Sequence, residues 1–217
     1  MPLLTLDAAG ALASVGIWDD GILTVRCDVG GQGQAGRLAP LIADTLLAAG
    51  VSFGALTAVA VTTGPGSFTG LRAALSLAHG IALAAAIPII AVSVAEALSE
   101  ALPHLGHRAL WVALDSRRGR VFLDDGSGPV AHELDALPRP NTPVAVAGDA
   151  AVAVAARWAT AGVDVMLTDI RHPRPQDIFR AAMARIEGRL PPHDALPVYV
   201  DPPEARPATR LRPAPRG

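Results

Sequence analysis

Ala58-Val59-Ala60-Val61-Thr62-Thr63-Gly64-Pro65-Gly66-Ser67-Phe68-Thr69-Gly70-Leu71-Arg72 is the stretch on which the fold turns. Its first four residues form a short apolar run with β-branched members, the pattern of a strand buried on both faces. The glycine-rich segment 64–70 breaks that run. From Leu71 to Ala86 the chain is rich in Ala and Leu and predicts a helix. A buried strand that turns tightly into a helix N-terminus aims backbone N–H groups and the helix dipole at whatever sits in the turn. Gly64, Gly66, Ser67, Thr69 and Gly70 are therefore phosphate-loop candidates, with Pro65 stiffening the turn and Ser67 or Thr69 able to cap the helix. A plain strand-to-helix turn fits the same spacing, and both readings stay open. The lysine of a Walker motif is absent, so any phosphate would be held by the backbone.

Downstream, Pro88 ends the helix, and Ile89-Ile90-Ala91-Val92 reads as a second buried strand. Ser93 with Glu96 three residues on predicts a capping box, for a helix that stops before Pro103. Upstream, Leu3 to Asp7 is a short strand and Leu12 to Trp18 another; Asp19-Asp20-Gly21 signals a hairpin into Ile22 to Val29. Leu38 to Ala49 has helical periodicity and is ended by Gly50. The order β-β-β-α-β-α-β-α predicts a mixed sheet flanked by helices. Asp7, ending the first strand, joins the phosphate-loop candidates as a possible holder of hydrated magnesium.

A second, smaller lobe is expected from about residue 104. A hairpin is predicted from Leu110 to Leu114 and Arg120 to Leu123, with a loop at Pro138 to Pro143. Strands follow at Val144 to Ala147 and Val163 to Leu167, with helices from Asp149, as cap, to Ala161 and from Asp177 to Glu187. The expected organisation is a first lobe over 1–103, a second over 104–200, and a Pro- and Arg-rich tail over 201–217 that reads as disordered. No repeat stands out at any fixed period.

Composition excludes several classes. The 217 residues are 51% hydrophobic, 4% aromatic and 18% charged, with net charge −2, so the chain can bury a core and lacks the basic excess of a free-standing nucleic-acid binder. All 18 basic residues are Arg, which removes Schiff-base and P-loop lysine chemistry. The single Cys27 removes an internal disulfide and a multi-cysteine zinc site. The N-terminus lacks a signal peptide's basic region, and the uncharged stretch between Arg72 and Glu96 is split by Pro88 and Ala-rich. It reads as helix-then-strand in a core, not as a membrane span. A cytoplasmic location is expected.

Other motifs are weaker. Gly31-Gln32-Gly33-Gln34-Ala35-Gly36 matches G-x-G-x-x-G, which keeps an NAD-dependent reductase in view. The strand before it leaves a hairpin, however, and no acid lies between Asp44 and Glu96 to hold a ribose, so a mobile loop is the reading for 30–36. H-E-x-x-H and G-x-S-x-G are absent, and His104 and His107 have no Cys or carboxylate close by in sequence, so no catalytic residue and no metal ligand is assigned. Ala73, Ala74, Ser76, Ala78, Gly80, Ala82 and Ala84 to Ala86 are small, which suits close helix packing in a core or across a subunit interface. Arg72, Ser76 and His79 share a stripe on that helix.

The segment Gly64 to Arg72, preceded by Val59 to Thr63, closely resembles the signature of the bacterial TsaB (YeaZ) family. Leu4 to Ala9, Arg37 to Leu41, Ile90 to Ser93, Leu114 to Arg117 and Pro197 to Tyr199 support the resemblance, which runs from residue 3 to about 200. It implies an α/β, two-lobed fold of the actin/Hsp70/sugar-kinase (ribonuclease H-like) superfamily. It also implies a non-catalytic subunit for threonylcarbamoyl transfer to N6 of the tRNA adenosine beside the anticodon. Such a subunit pairs with the catalytic paralogue TsaD, the ATPase TsaE joins, and tRNA is engaged indirectly. The pairing helix is the one after the signature, here Leu71, Arg72, Leu75, Ser76, His79 and Gly80, and the same surface allows a homodimer. ATP or ADP at a subunit junction stays open as a cofactor. The alternative is a free-standing kinase-like or peptidase-like enzyme of the same superfamily, with Asp7 and the loop 64–70 as its phosphate contacts.

Overall fold

The computed structural model describes residues 1–28 and 34–200. Strand β1 (Leu3–Asp7) is buried along its whole length because it is the central strand of a five-stranded sheet covered on both faces. β2 (Ala13–Asp19) and β3 (Ile22–Asp28) continue as an antiparallel meander, with Leu3 opposite Trp18 and Asp7 opposite Ser14. After α1 (Gln34–Ala49), β4 (Ala58–Thr62) joins β1 in parallel. After α2 (Phe68–Ala85), β5 (Ile89–Val92) joins β4, and α3 (Val94–Glu100) closes the first half. The sheet order is β3-β2-β1-β4-β5.

The second half repeats this plan. β6 (Ala109–Asp115), β7 (Arg120–Asp124) and β8 (Val130–Glu133) form a meander, and β9 (Val144–Ala147) and β10 (Val165–Leu167) add in parallel, giving the order β10-β9-β6-β7-β8. Read outward from its central strand, this matches the first sheet, so the chain is two lobes of one topology with mixed sheets flanked by helices. The sequence shows no fixed-period repeat, yet Leu4-Thr5-Leu6-Asp7 and Val112-Ala113-Leu114-Asp115 both bring an aspartate to the end of the central strand.

Helix α4 (Ala151–Thr160) packs on the second sheet, whereas α5 (Pro175–Ile186), read from sequence as part of the second lobe, crosses back to the first. Its Ile178, Ala181 and Ala182 are buried with Leu3, Ala58, Ala60, Ile90 and Val92 on one face of the first sheet. The other face holds α1 and α2 through Leu38, Ile42, Ala74, Leu75, Ala78 and Ile81. A further cluster joins Ala9, Leu71, Val94 and Leu98 to Val112, Leu114, Phe122 and Ala147, so the lobes meet through a continuous apolar seam.

Three local expectations are corrected. α1 begins at Gln34, inside the segment 30–36 read as a loop; the rest of the glycine run, 29–33, lies outside the described residues, as does the tail 201–217. Asp149 does not cap α4: Ala150 is the N-cap, without a side-chain bond, and the Asp149 carboxylate instead accepts the Asp115 N–H at 2.8 Å. Strand β8 is not anticipated, since four residues with a single β-branched member carry too little pattern, and its pairing with β7 makes it a strand.

Candidate functional site: the signature loop and the outer face of α2

β4 delivers Thr62 and Thr63 to the turn, where Thr63 N–H bonds Val92 O at 2.9 Å and Val94 N–H bonds Gly64 O at 2.9 Å. Gly64 has φ +103° and is joined to Pro65 by a cis peptide bond. The loop lies against the turn after β1. Ser67 N–H donates to Ala9 O at 2.6 Å, and the Ser67 side chain caps α2 by accepting the Gly70 N–H at 3.2 Å. A Cβ on Gly66 would stand 2.2 Å from Ala9 O, and one on Gly70 2.1 Å from Ala8 O. The two glycines are thus required by close backbone approach. Thr69 is exposed.

Asp7 is 2% exposed and sits beside the same turn. Its Oδ1 accepts the Thr62 hydroxyl at 2.5 Å and the Ala9 N–H at 3.0 Å. Burial pushes its pKa above the ordinary carboxylate value, opposed by those two hydrogen bonds and by His172. Of the six phosphate-loop candidates, the fold brings Asp7, Gly66, Ser67 and Gly70 together around Ala8 and Ala9, and Gly64 lies at the interlobe seam beside Leu71. The Ser67 and Gly70 N–H groups are committed within the protein, which packs the loop on the β1 turn. Among the described residues no three His, Cys, Asp or Glu side chains converge as metal ligands would.

Helix α2 is apolar and 18 residues long, enough by length and composition to cross a membrane. Gly70, Leu71, Ala74, Leu75, Ala78, Ile81 and Ala82 are buried in the fold, as a core helix requires. Leu71 is 1% and Leu75 5% exposed, so these two of the six interface candidates face inward and cannot touch a partner directly. Arg72, Ser76, His79 and Gly80 lie on the outer face, and the small residues divide accordingly: Ala74, Ala78 and Ala82 inward, Ser76, Gly80 and Ala84 outward. A Cβ at Gly80 would meet nothing within 4 Å. Leu83, which the sequence reading missed, continues the stripe and is 86% exposed; spacing of 72, 76, 79/80 and 83 is the signal that finds it. On the neighbouring α1, Leu47 is 83% exposed.

The segment 193–200 lies along one flank of this helix. His79 Nε2 is 3.0 Å from Ala195 O, Val198 N–H donates to Thr63 O at 2.8 Å, and Arg72 Nε donates to the Tyr199 hydroxyl at 2.8 Å. The Arg72 guanidinium stands 3.7 Å over the Phe68 ring. Phe68 and Tyr199 were not singled out as site residues, and a strap from a Pro-rich stretch has no periodicity to reveal it.

The family model described as TsaD, tRNA N6-adenosine threonylcarbamoyltransferase, matches residues 32–139. The tRNA threonylcarbamoyladenosine biosynthesis protein TsaB of Escherichia coli is 33% identical over 123 residues, 56% of this chain and 53% of that protein. The crystallised YeaZ of Pseudomonas aeruginosa superposes with a TM-score of 0.71 at 26% identity, covering 91% of this chain and 99% of its own. The chain is similar to the TsaB (YeaZ) family in sequence and in fold. An uncharacterized protein of Mycobacterium tuberculosis is 30% identical over 213 residues, 94% of each chain. The aligned stretch spans about half the length of the E. coli TsaB. The TsaB signature of the sequence, Gly64 to Arg72, is the loop and first helical turn described above.

Proposed function

We propose that this chain is a non-catalytic partner subunit for threonylcarbamoyl transfer to N6 of the tRNA adenosine beside the anticodon. It pairs with a TsaD-type catalytic paralogue, and the ATPase TsaE joins the assembly. The observation that carries this reading is the outer face of α2. On a helix whose inner face is buried in the core, Ser76 and Gly80 leave a shallow, open strip ending at an 86%-exposed Leu83. Small residues let a second helix approach closely, and the exposed leucine supplies apolar area on contact. The same strip serves a second copy of the chain, so homodimer and heterodimer compete for one face. The chain's own contribution is shape: Asp7 and the signature loop hold the N-terminal end of α2 in place. The similarity to TsaB of Escherichia coli and YeaZ of Pseudomonas aeruginosa supports the role in tRNA threonylcarbamoyladenosine formation.

The test is threonylcarbamoyl transfer to tRNA in a mixture of cognate TsaC, TsaD and TsaE, with and without this chain. Transfer that depends on the chain supports the reading, and Gly80→Trp abolishes both transfer and co-elution with TsaD while the circular dichroism spectrum is kept. Transfer without the chain, or undisturbed co-elution of Gly80→Trp, overturns it. Turnover of ATP by the chain alone favours the free-standing enzyme.

A further inference from the structure

Arg72 is fixed in place without a counter-charge. The Tyr199 hydroxyl holds its Nε at 2.8 Å, and its guanidinium stands 3.7 Å over the Phe68 ring, so both contacts come from neutral aromatic side chains. Arg37, Arg108 and Arg157 are each held by a carboxylate, of Asp28, Asp164 and Asp135. Arg72 has no carboxylate partner among the described residues, and its two terminal nitrogens, Nη1 and Nη2, have no hydrogen-bond partner there either. Helix α2 contains no acidic residue, and on the neighbouring α1 Asp44 is the only one. Helical side chains lean toward the helix N-terminus, and this one lies over Phe68, the first residue of α2, at the positive end of the helix dipole.

We infer that Arg72 receives an aspartate or glutamate carboxylate from the subunit that pairs through the outer face of α2; the inference rests on that pairing, proposed above. Covering this face takes water from a guanidinium that the chain itself leaves unpaired, and a buried charge without a partner is strongly destabilising. A partner that buries Arg72 therefore has to bring an acceptor. The terminal nitrogens form a planar fork that a carboxylate matches with two parallel hydrogen bonds, whereas a backbone carbonyl brings one oxygen and no charge. Tyr199 and Phe68 fix the fork before docking, which lowers the cost of ordering it. Both rings are exposed and leave aromatic area to bury around the pair. A second copy that meets α2 with its own α2 brings no acid from that helix, so Arg72 favours the heterologous partner over the homodimer.

The test is calorimetric titration of the full chain into the cognate TsaD-type subunit. Arg72→Gln is expected to weaken binding by about thirtyfold or more, the cost of leaving the partner's carboxylate buried and unpaired. Arg72→Lys keeps the charge without the fork and is expected to lose about fivefold. Tyr199→Phe frees Nε and leaves the fork, and is expected to change affinity by less than about threefold. Arg72 is exposed, so these variants keep the fold, which circular dichroism checks. Changing the partner's aspartates and glutamates to their amides one at a time finds one whose loss equals that of Arg72→Gln and adds nothing to it in the double variant. No binding by the unmodified chain overturns the proposed pairing and this inference with it. Binding that Arg72→Gln leaves unchanged, or a loss shared by no acid of the partner, overturns the inference alone. Self-association weakened equally by Arg72→Gln and Asp44→Asn assigns the carboxylate to a second copy, and an effect confined to tRNA retention assigns the contact to phosphate; both overturn it.

Discussion

The Arg72 Nε donates a 2.8 Å hydrogen bond to the hydroxyl of Tyr199, joining the first turns of α2 to the strap 193–200. The guanidinium also stands over the Phe68 ring, so the side chain that opens the outer face of α2 is fixed by two contacts. Preorganised aromatic and arginine side chains are the usual anchors of protein interfaces.

Tyr199→Phe keeps the ring and removes the hydrogen bond. All three side chains are exposed, so the global cost is small, about 0.5–1 kcal/mol. The expected signature is local: amide hydrogen exchange at the Val198 N–H accelerates while the unfolding midpoint barely moves. A large fall in the midpoint would mean that the strap belongs to the main cooperative unit.

Glycines 70 and 80 lie on the same helix and respond oppositely to alanine. At Gly70 the new Cβ meets the Ala8 carbonyl at 2.1 Å, a backbone contact that cannot rotate away. A loss of roughly 2–4 kcal/mol is expected, the range for overpacking and strain at a fixed backbone. At Gly80 nothing lies within 4 Å, and alanine's better helix propensity adds about 0.5–1 kcal/mol. Urea denaturation of the two variants measures both signs.

Asp7 yields a pH dependence. Its folded pKa is raised above the unfolded value, chiefly by burial, so the folded state holds the proton more tightly than the unfolded chain does. Its contribution to stability is therefore greatest below the unfolded pKa near 3.8 and is lost as pH rises through the folded pKa. Asp7→Asn keeps an acceptor for the Thr62 hydroxyl and the Ala9 N–H without the buried charge. The variant is expected to gain thermal stability relative to the parent at pH 8, and to gain less at pH 4. Equal losses at both pH values would show the ionised carboxylate to be stabilising.

Glu96 serves two elements at once. It completes the capping box of α3 with Ser93 and pairs with Arg185, which is 9% exposed and also donates to Ala91 O. Glu96→Gln leaves Arg185 without its counter-charge and is expected to cost roughly 2–4 kcal/mol, somewhat less than for a fully buried pair because Glu96 is itself 19% exposed. Ser93→Ala removes only the cap, for about 1 kcal/mol. Chemical denaturation separates the two.

The local elements of the first lobe were legible in the residues. Alternating and apolar runs specify β1, β4 and β5, the Ser93–Glu96 spacing specifies the α3 cap, and the signature resemblance points to the family, because each depends on neighbours a few positions apart in sequence. The functional face was legible only in part: the stripe through Arg72, Ser76, His79 and Gly80 follows from helical period, yet period does not say which side of an apolar helix meets the core, so Leu71 and Leu75 were grouped with it and Leu83 was not. Tertiary structure alone decided the rest. It placed α5 on the first sheet, made the two halves one topology, set Gly66 and Gly70 against the carbonyls of Ala9 and Ala8, and laid Tyr199 on Arg72 across 127 residues. These are contacts between segments with no shared sequence pattern, fixed by which surfaces remain to be buried once the strands have paired.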